Sequence, residues 1–274
     1  MKFKYMLAPM EKFTDSAFRN LIYKRGADLT FTEMARVSAL IRENLSTINR
    51  TKLIDKTPTV IQLLPLKEVE LEKYLKTFEP EKNFQGFNLN IGCPSTELIK
   101  LGMGCALIKR PTKVKKLANI LLDSGFNTSI KLRLGMNEFE KKQKVYLNLI
   151  NKVNADYFIV HGKHGKENEQ DKNDFSIYKE CIETNKNIIA NGNITTKNQI
   201  QKLKEQGIKG VMIGWGAIKN PNIFAELKNE KQNKKEILSL NELKQEYLKL
   251  AKIHKTRKEN INNILKHTFK KTAS

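Results

Sequence analysis

The sequence predicts an α/β protein: a (β/α)8 barrel, the TIM-barrel architecture, followed by a short C-terminal helical region. Three observations predict it. Short β-rich runs recur at intervals of roughly 25 to 35 residues, each followed by a polar turn and then by helical periodicity. Eight such units can be counted, which favours a closed barrel over an open doubly wound sheet, and no G-x-G-x-x-G follows the first run. The length of 274 residues suits one barrel, which typically takes about 250, with a small appendage.

The predicted strands are residues 5–9, 29–33, 59–63, 86–91, 129–132, 157–161, 187–190 and 210–213. Several are apolar nearly throughout, as in YFIV and VMIG, which is the pattern of parallel strands covered on both faces. Between them the helices carry punctuation. Thr14 and Asp15 precede a helix that closes at Gly26, where a left-handed cap is expected. Pro111 suits the first turn of a helix running past Val114, Leu117 and Leu121 to Gly125, and Thr196 precedes another that ends at Gly207.

Residues 1–228 are read as the barrel and 229–274 as a basic helical region, beginning with a polar linker at 229–235. In that region Leu243, Tyr247, Leu250 and Ile253 are spaced for one helix face. From 231 to 274 there are 12 Lys plus Arg against 4 Glu, an excess of 12 − 4 = +8, so the tail is a candidate for phosphate contacts or simply a solvated face.

Over the whole chain, 50 Lys plus Arg against 29 Asp plus Glu leave a net charge of +21, enough to attract polyanions by long-range field. Nucleic acid is the partner to which this points, with a merely Lys-rich composition as the competing account. The apolar runs are too short to span a bilayer, and residues 1–10 hold no apolar stretch of secretory length, so no membrane partner and a cytoplasmic location are expected. The cysteines, Cys93, Cys105 and Cys181, are odd in number and share no C-x-x-C spacing, which argues against a disulfide framework or a zinc cluster.

In barrels of this kind chemistry sits at the C-terminal ends of the strands, and unusual residues cluster there. Ala8-Pro9-Met10 follows strand one, Thr32-Glu33-Met34 strand two, Gln62 strand three and Asn90-Ile91-Gly92-Cys93-Pro94 strand four. Lys131-Leu132-Arg133 lies at strand five, His161-Gly162 at strand six, Asn191-Gly192-Asn193 at strand seven and Gly214-Trp215-Gly216 at strand eight. Glycines in the last two loops let backbone N–H groups approach an anion such as a phosphate, although tight turning alone also accounts for them. Lys131, between apolar neighbours, is expected to aim its ammonium into the barrel mouth, with snorkelling to solvent as the alternative. Gln62 is suited to hydrogen-bonding a ligand edge, or is simply exposed. Cys93 sits in a Gly-Cys-Pro loop rather than on a packed face, and a thiol is protonated at neutral pH, so it has a proton to give. His161 and His164 form an H-x-x-H but lack a third ligand, so no metal is expected.

Taken together, APMEKFTDSAFR, GADLTFTEM, NLNIGCPS, GMGCALIKRP, IKLRLG, VHGK, NGNI and GVMIGWGAIKNPNIF resemble, in that order, the tRNA-dihydrouridine synthase family. The resemblance runs from Leu7 to about Phe224, and GCP followed by the G-x-G run is its most specific part. It implies a flavoprotein oxidoreductase holding FMN through Pro9, Met10, Glu11, Gln62, Lys131 and His161, with the FMN phosphate at Asn191, Gly192, Asn193, Gly214 and Trp215. It further implies tRNA as substrate, NADPH as electron donor, hydride transfer from the flavin to C6 of a uridine, and Cys93 as proton donor to C5. Asn90 and Arg133 are then expected to contact the uracil and its phosphate. The chain departs from the family pattern at Trp215, which stands where arginine is usual, at Glu11 and Asn193, after His161, and in its short helical region. Two rivals follow: a flavin barrel acting on a small pyrimidine, as dihydroorotate dehydrogenases do, and an RNA-binding relative without catalysis.

Overall fold

A computed structural model of the chain describes residues 1–228 and 237–270. Its strands are β1 (Lys4–Leu7), β2 (Thr30–Phe31), β3 (Ala35–Arg36), β4 (Thr59–Leu64), β5 (Phe84–Ile91), β6 (Thr128–Leu132), β7 (Tyr157–His161), β8 (Ile188–Asn191) and β9 (Gly210–Ile213). All pair in parallel, in the order β1-β9-β8-β7-β6-β5-β4-β2, with β3 also on β4. The ring closes between β1 and the second strand. Met6 bridges Leu29, and the Leu7 amide donates to the Leu29 carbonyl at 2.9 Å. The (β/α)8 barrel is therefore present.

One strand differs from expectation. Residues 29–33 are continuous β in the sequence reading, whereas the structure breaks the second strand into β2 and β3. Between the two pieces the Thr32 hydroxyl accepts from the Gln62 amide at 3.0 Å, and the Glu33 carboxylate reaches the C-terminal helices. The Thr32 amide still donates to the Val60 carbonyl at 3.0 Å, and the ladder is interrupted after it.

Strand alternation sorts the interior from the helix-facing side. Phe87, Leu89, Ile130, Leu132, Phe158 and Val160 join the core that packs under the helices. Their alternates point inward, where Met6, Phe31, Val60, Ile159, Ile189 and Met212 form a second, internal cluster. Burying a side chain of this size contributes about 2 kcal/mol, so the two clusters fix register as well as closure.

The punctuation read in the sequence takes physical form. Asp15 accepts from the Phe18 amide at the start of the helix Ser16–Lys24, Pro111 opens Pro111–Asp123, and Thr196 makes a capping box with Gln199. The helix Leu240–Ile253 buries Leu243, Tyr247 and Leu250 but leaves Ile253 62% exposed, correcting its predicted place on that face. At about 100° per residue Ile253 falls roughly 80° off the line of the others, and His254 takes the buried position. The predicted linker at 229–235 lies outside the described residues. Among the described residues no helix is long and apolar enough to cross a membrane.

Candidate active site

The loop after β5 is built around Asn90. Its side-chain oxygen accepts from the amides of Gly92 at 3.1 Å and Cys93 at 2.9 Å, which folds the chain back and presents the Cys93 side chain above the barrel. Its amide nitrogen donates to Gln62, Gln62 donates to Asn88 at 2.7 Å, and Asn88 donates to Ser129 at 2.9 Å. These four groups are buried, so each lost bond would leave a costly orphan and the chain of amides is rigid. Gln62 is thus buried rather than exposed, and Asn90 supports the Cys93 loop with both ends of its amide engaged.

The G-x-G run that follows also serves this loop. Gly104 has φ +56°, and a Cβ there would stand 2.6 Å from the Cys93 carbonyl oxygen. Only glycine permits that approach. The Cys105 amide then donates to the same carbonyl at 3.0 Å. Cys93 is half-buried and its thiol pKa is raised, first by burial and also by the Glu11 carboxylate, against the opposing pull of the Ser95 amide, Lys131 and Arg133. It is a neutral thiol at physiological pH. Cys105 and Cys181 are fully buried, both pushed up to about 12 by desolvation, and belong to the core.

Across the mouth, Ser129 and Lys131 take the inward positions of β6. Burial, and then the charge of Arg133, push the Lys131 ammonium down to about 7. Among the described residues it meets no carboxylate and donates no hydrogen bond, so this half-buried amine has no counter-ion. His161, at the inward end of β7, is held well below its ordinary value by burial and by Lys131, Arg133 and Lys163; it is a neutral imidazole. Cys93, Lys131, Arg133 and His161 act on one another electrostatically and form one cluster.

The loop after β7 is tied down by its own cations. Arg133 donates to the His164 carbonyl at 2.8 Å, and the ammonium of Lys163, only 1% exposed, donates to the carbonyls of Asn168 and Glu169 at 3.0 Å each. Asn193 donates to the carbonyls of Glu169 and Asp171. His164 pairs with Glu167, apart from His161, and among the described residues no group of three or more His, Cys, Asp or Glu could hold a metal.

The remaining predicted residues line the other side. Asn191 donates to the Met212 carbonyl at 2.8 Å and joins β8 to β9; Gly192 follows with φ +115°, packed beside His161 and Asn173. Gly214 lies against the Met10 side chain. The Met10 amide is taken by the Thr14 hydroxyl at 2.9 Å, and Pro9 beside it is half-buried. Glu11 is exposed and pairs with Arg50 at 3.2 Å. Trp215 packs edge-on against Phe13 at 5.2 Å and lies 6.0 Å from His267 of the last helix, so its indole is engaged by aromatic rings.

Sequence reasoning missed the clasp that closes this side. Glu33, 2% exposed, accepts from Asn260 at 2.7 Å and from Arg257 at 3.1 Å. Its place at a strand end was the available signal; Arg257 and Asn260 lie more than two hundred residues along the chain.

The signature of the family described as dihydrouridine synthase (Dus) matches residues 6–274. A probable tRNA-dihydrouridine synthase of Helicobacter pylori is 30% identical over 235 residues, covering 81% of this chain and 69% of that protein. A tRNA-dihydrouridine(20a/20b) synthase (NAD(P)+) of Schizosaccharomyces pombe is 26% identical over 232 residues, covering 81% and 68%. Among solved structures, morphinone reductase superposes with a TM-score of 0.56 at 11% identity, over 82% of this chain and 85% of that one, a likeness of fold.

Proposed function

The chain belongs to the dihydrouridine synthase family, and from that premise we propose that it reduces the C5–C6 double bond of uridine in tRNA to dihydrouridine, with FMN as its redox group and NADPH as electron donor. The observation that carries this reading is a neutral thiol, Cys93, held on a rigid loop within the electrostatic reach of a half-buried lysine that has no counter-ion.

The donor set fits a flavin. An unpaired ammonium and a neutral imidazole suit the electron-rich edge of its ring, and backbone at Gly192 and Gly214 suits its phosphate. Lys131, Gln62 and His161 would hold the ring, Pro9, Met10 and Glu11 its flank, and Asn191, Gly192, Asn193, Gly214 and Trp215 the phosphate end. When bound, FMN supplies the hydride, drawn from NADPH, that adds to C6.

This chain's own residues do the rest. Hydride addition leaves enolate-like charge on the pyrimidine, and the Cys93 sulfur gives its proton to C5, so one H2 is added and NADPH is oxidised. The raised thiol pKa keeps that proton in place until the charge develops. Lys131 offsets negative charge in the mouth, and the amide chain through Asn90 holds the Cys93 loop in register. Arg133, whose guanidinium already binds the loop after β7, is placed to meet an anionic substrate group. Residues 1–228 carry the chemistry, and the basic region 229–274 contributes to holding tRNA.

Reconstitution with FMN tests the cofactor half of this reading. The expected result is a tightly held flavin whose visible absorbance is bleached by NADPH. No retained flavin after gel filtration would refute it.

A further inference from the structure

The C-terminal helices lie over β1 and the second strand. In the order of the ring β6 is diametrically opposite β1, with β5 beside it, so the loops after β5 and β6 form the far rim of the mouth. The helix Pro111–Asp123 begins at this rim, because a helix that follows a barrel strand starts at the strand's C-terminal end. Between Glu97 and Asp123 the sequence holds six cations, Lys100, Lys109, Arg110, Lys113, Lys115 and Lys116, and no carboxylate.

Pairing uses up the carboxylates of this rim and still leaves cations over. Its carboxylates are all engaged: Glu97 by Arg36, Glu138 by Lys142 at 3.8 Å, and Glu140 by Lys109 at 2.9 Å. Arg110, Lys113, Lys115 and Lys116 pair with none among the described residues. The Lys109–Glu140 bond also joins the start of this helix to the helix Glu138–Lys142, which carries Phe139. Phe139 is 69% exposed, the most exposed aromatic side chain among the described residues. An apolar ring left in water on a helix tied, through Lys109 and Glu140, to a helix of unpaired cations is a combination that suits unpaired nucleotides, the ring by stacking and the cations by phosphate contact.

We propose that the far rim, Arg110, Lys113, Lys115 and Lys116 with Phe139, is a docking surface for an unpaired stretch of the RNA substrate, so that the RNA spans the mouth from the C-terminal helices to this rim. The inference rests on the tRNA reading above and deepens it. A base entering the mouth has backbone leaving on both sides, and each side then meets a basic surface. Phe139 stacks on a base or sugar of the flanking strand and stays outside the mouth.

The test measures binding of an unmodified tRNA transcript to the flavin-loaded full chain across a range of salt. Lys113→Glu/Lys116→Glu is expected to weaken binding at least about tenfold and to flatten the slope of log K against log salt by about one to two. Phe139→Ala is expected to weaken it about fivefold to a hundredfold with the salt slope kept, and Phe139→Trp to restore it. Melting temperature and flavin content report that each variant is folded. Wild-type affinity and slope in both altered proteins would overturn the docking surface while leaving the tRNA reading intact. A wild-type chain that binds no tRNA would overturn the tRNA reading itself.

Discussion

The two sides of the barrel mouth are held by different means. On the side of β1 and the second strand, contacts join residues far apart in the chain: Glu33 with Arg257 and Asn260, Lys12 with Glu259, and Phe13 and Trp215 with His267. On the side of β5 to β7, bonds run mostly from side chains to backbone without the C-terminal helices: Asn90 to the Cys93 loop and Lys163 to the loop after β7 within a few residues, and Arg133 to that same loop from the preceding strand. The groups proposed to react and to offset charge, Cys93 and Lys131, sit on the self-supporting side. Geometry there is expected to survive loosening of the tail, whereas the Glu33 and Lys12 contacts require the tail to be docked.

The largest effect that tests this division belongs to the chemical side. Cys93→Ala should lower kcat for tRNA reduction about 10²- to 10⁴-fold, the usual worth of a positioned general acid, while retaining flavin and its bleaching by NADPH. Equal loss of flavin would show that Cys93 supports the site instead of reacting in it.

Next comes the clasp. Glu33→Gln removes the buried carboxylate to which Arg257 and Asn260 donate, leaves two partly exposed cations, and should cost about 2 kcal/mol. Limited proteolysis should then cut the chain faster between barrel and tail, with flavin bleaching by NADPH preserved. An unchanged melting temperature would mean that the tail docks through its apolar face alone.

A pH effect sharpens the same contrast. Asp15, which accepts from the Tyr247 hydroxyl, is raised to about 6, by burial above all, against the Phe18 amide and Arg19. Its folded pKa exceeds its unfolded value, so the folded state gains protons there, and acidification from about 6 towards 4 adds stability through this group. His254, lowered chiefly by burial, acts in the opposite sense: stability is lost as pH falls below its unfolded value of about 6.5. Asp15→Asn should therefore stabilise the chain at neutral pH and remove the gain on acidification while keeping the histidine's fall, read by melting temperature at several pH values. The smallest effect is expected from His267→Ala, about 1 kcal/mol from its aromatic contacts, with a weaker hold on flavin at the Trp215 loop.

Much of this arrangement was legible in the sequence. The apolar neighbours of Lys131 on its strand pointed its ammonium into the barrel mouth, because that follows from local geometry; the close approach that Gly104 permits was not read from the sequence. The Cys93 loop was legible for the same reason. What could not be read depends on distant partners. Glu33 stood out at its strand end, yet nothing local connects it to Arg257; Trp215 looked like a missing arginine until Phe13 and His267 gave the indole neighbours; and Ile253 was placed by spacing that the helix's own rotation turns outward. The charge of +21 gave a sign and no location, since which cations remain free depends on which carboxylates fold beside them.

The central claim is that this mouth adds hydrogen across a uridine, with Cys93 giving the proton. The direct measurement is mass spectrometry of nucleosides from an unmodified tRNA incubated with the flavin-loaded protein and NADPH, beside the same reaction with Cys93→Ala. The account predicts dihydrouridine, heavier than uridine by one H2, formed by the wild type and nearly absent with the variant. NADPH oxidation without dihydrouridine, or equal dihydrouridine from both proteins, would contradict it.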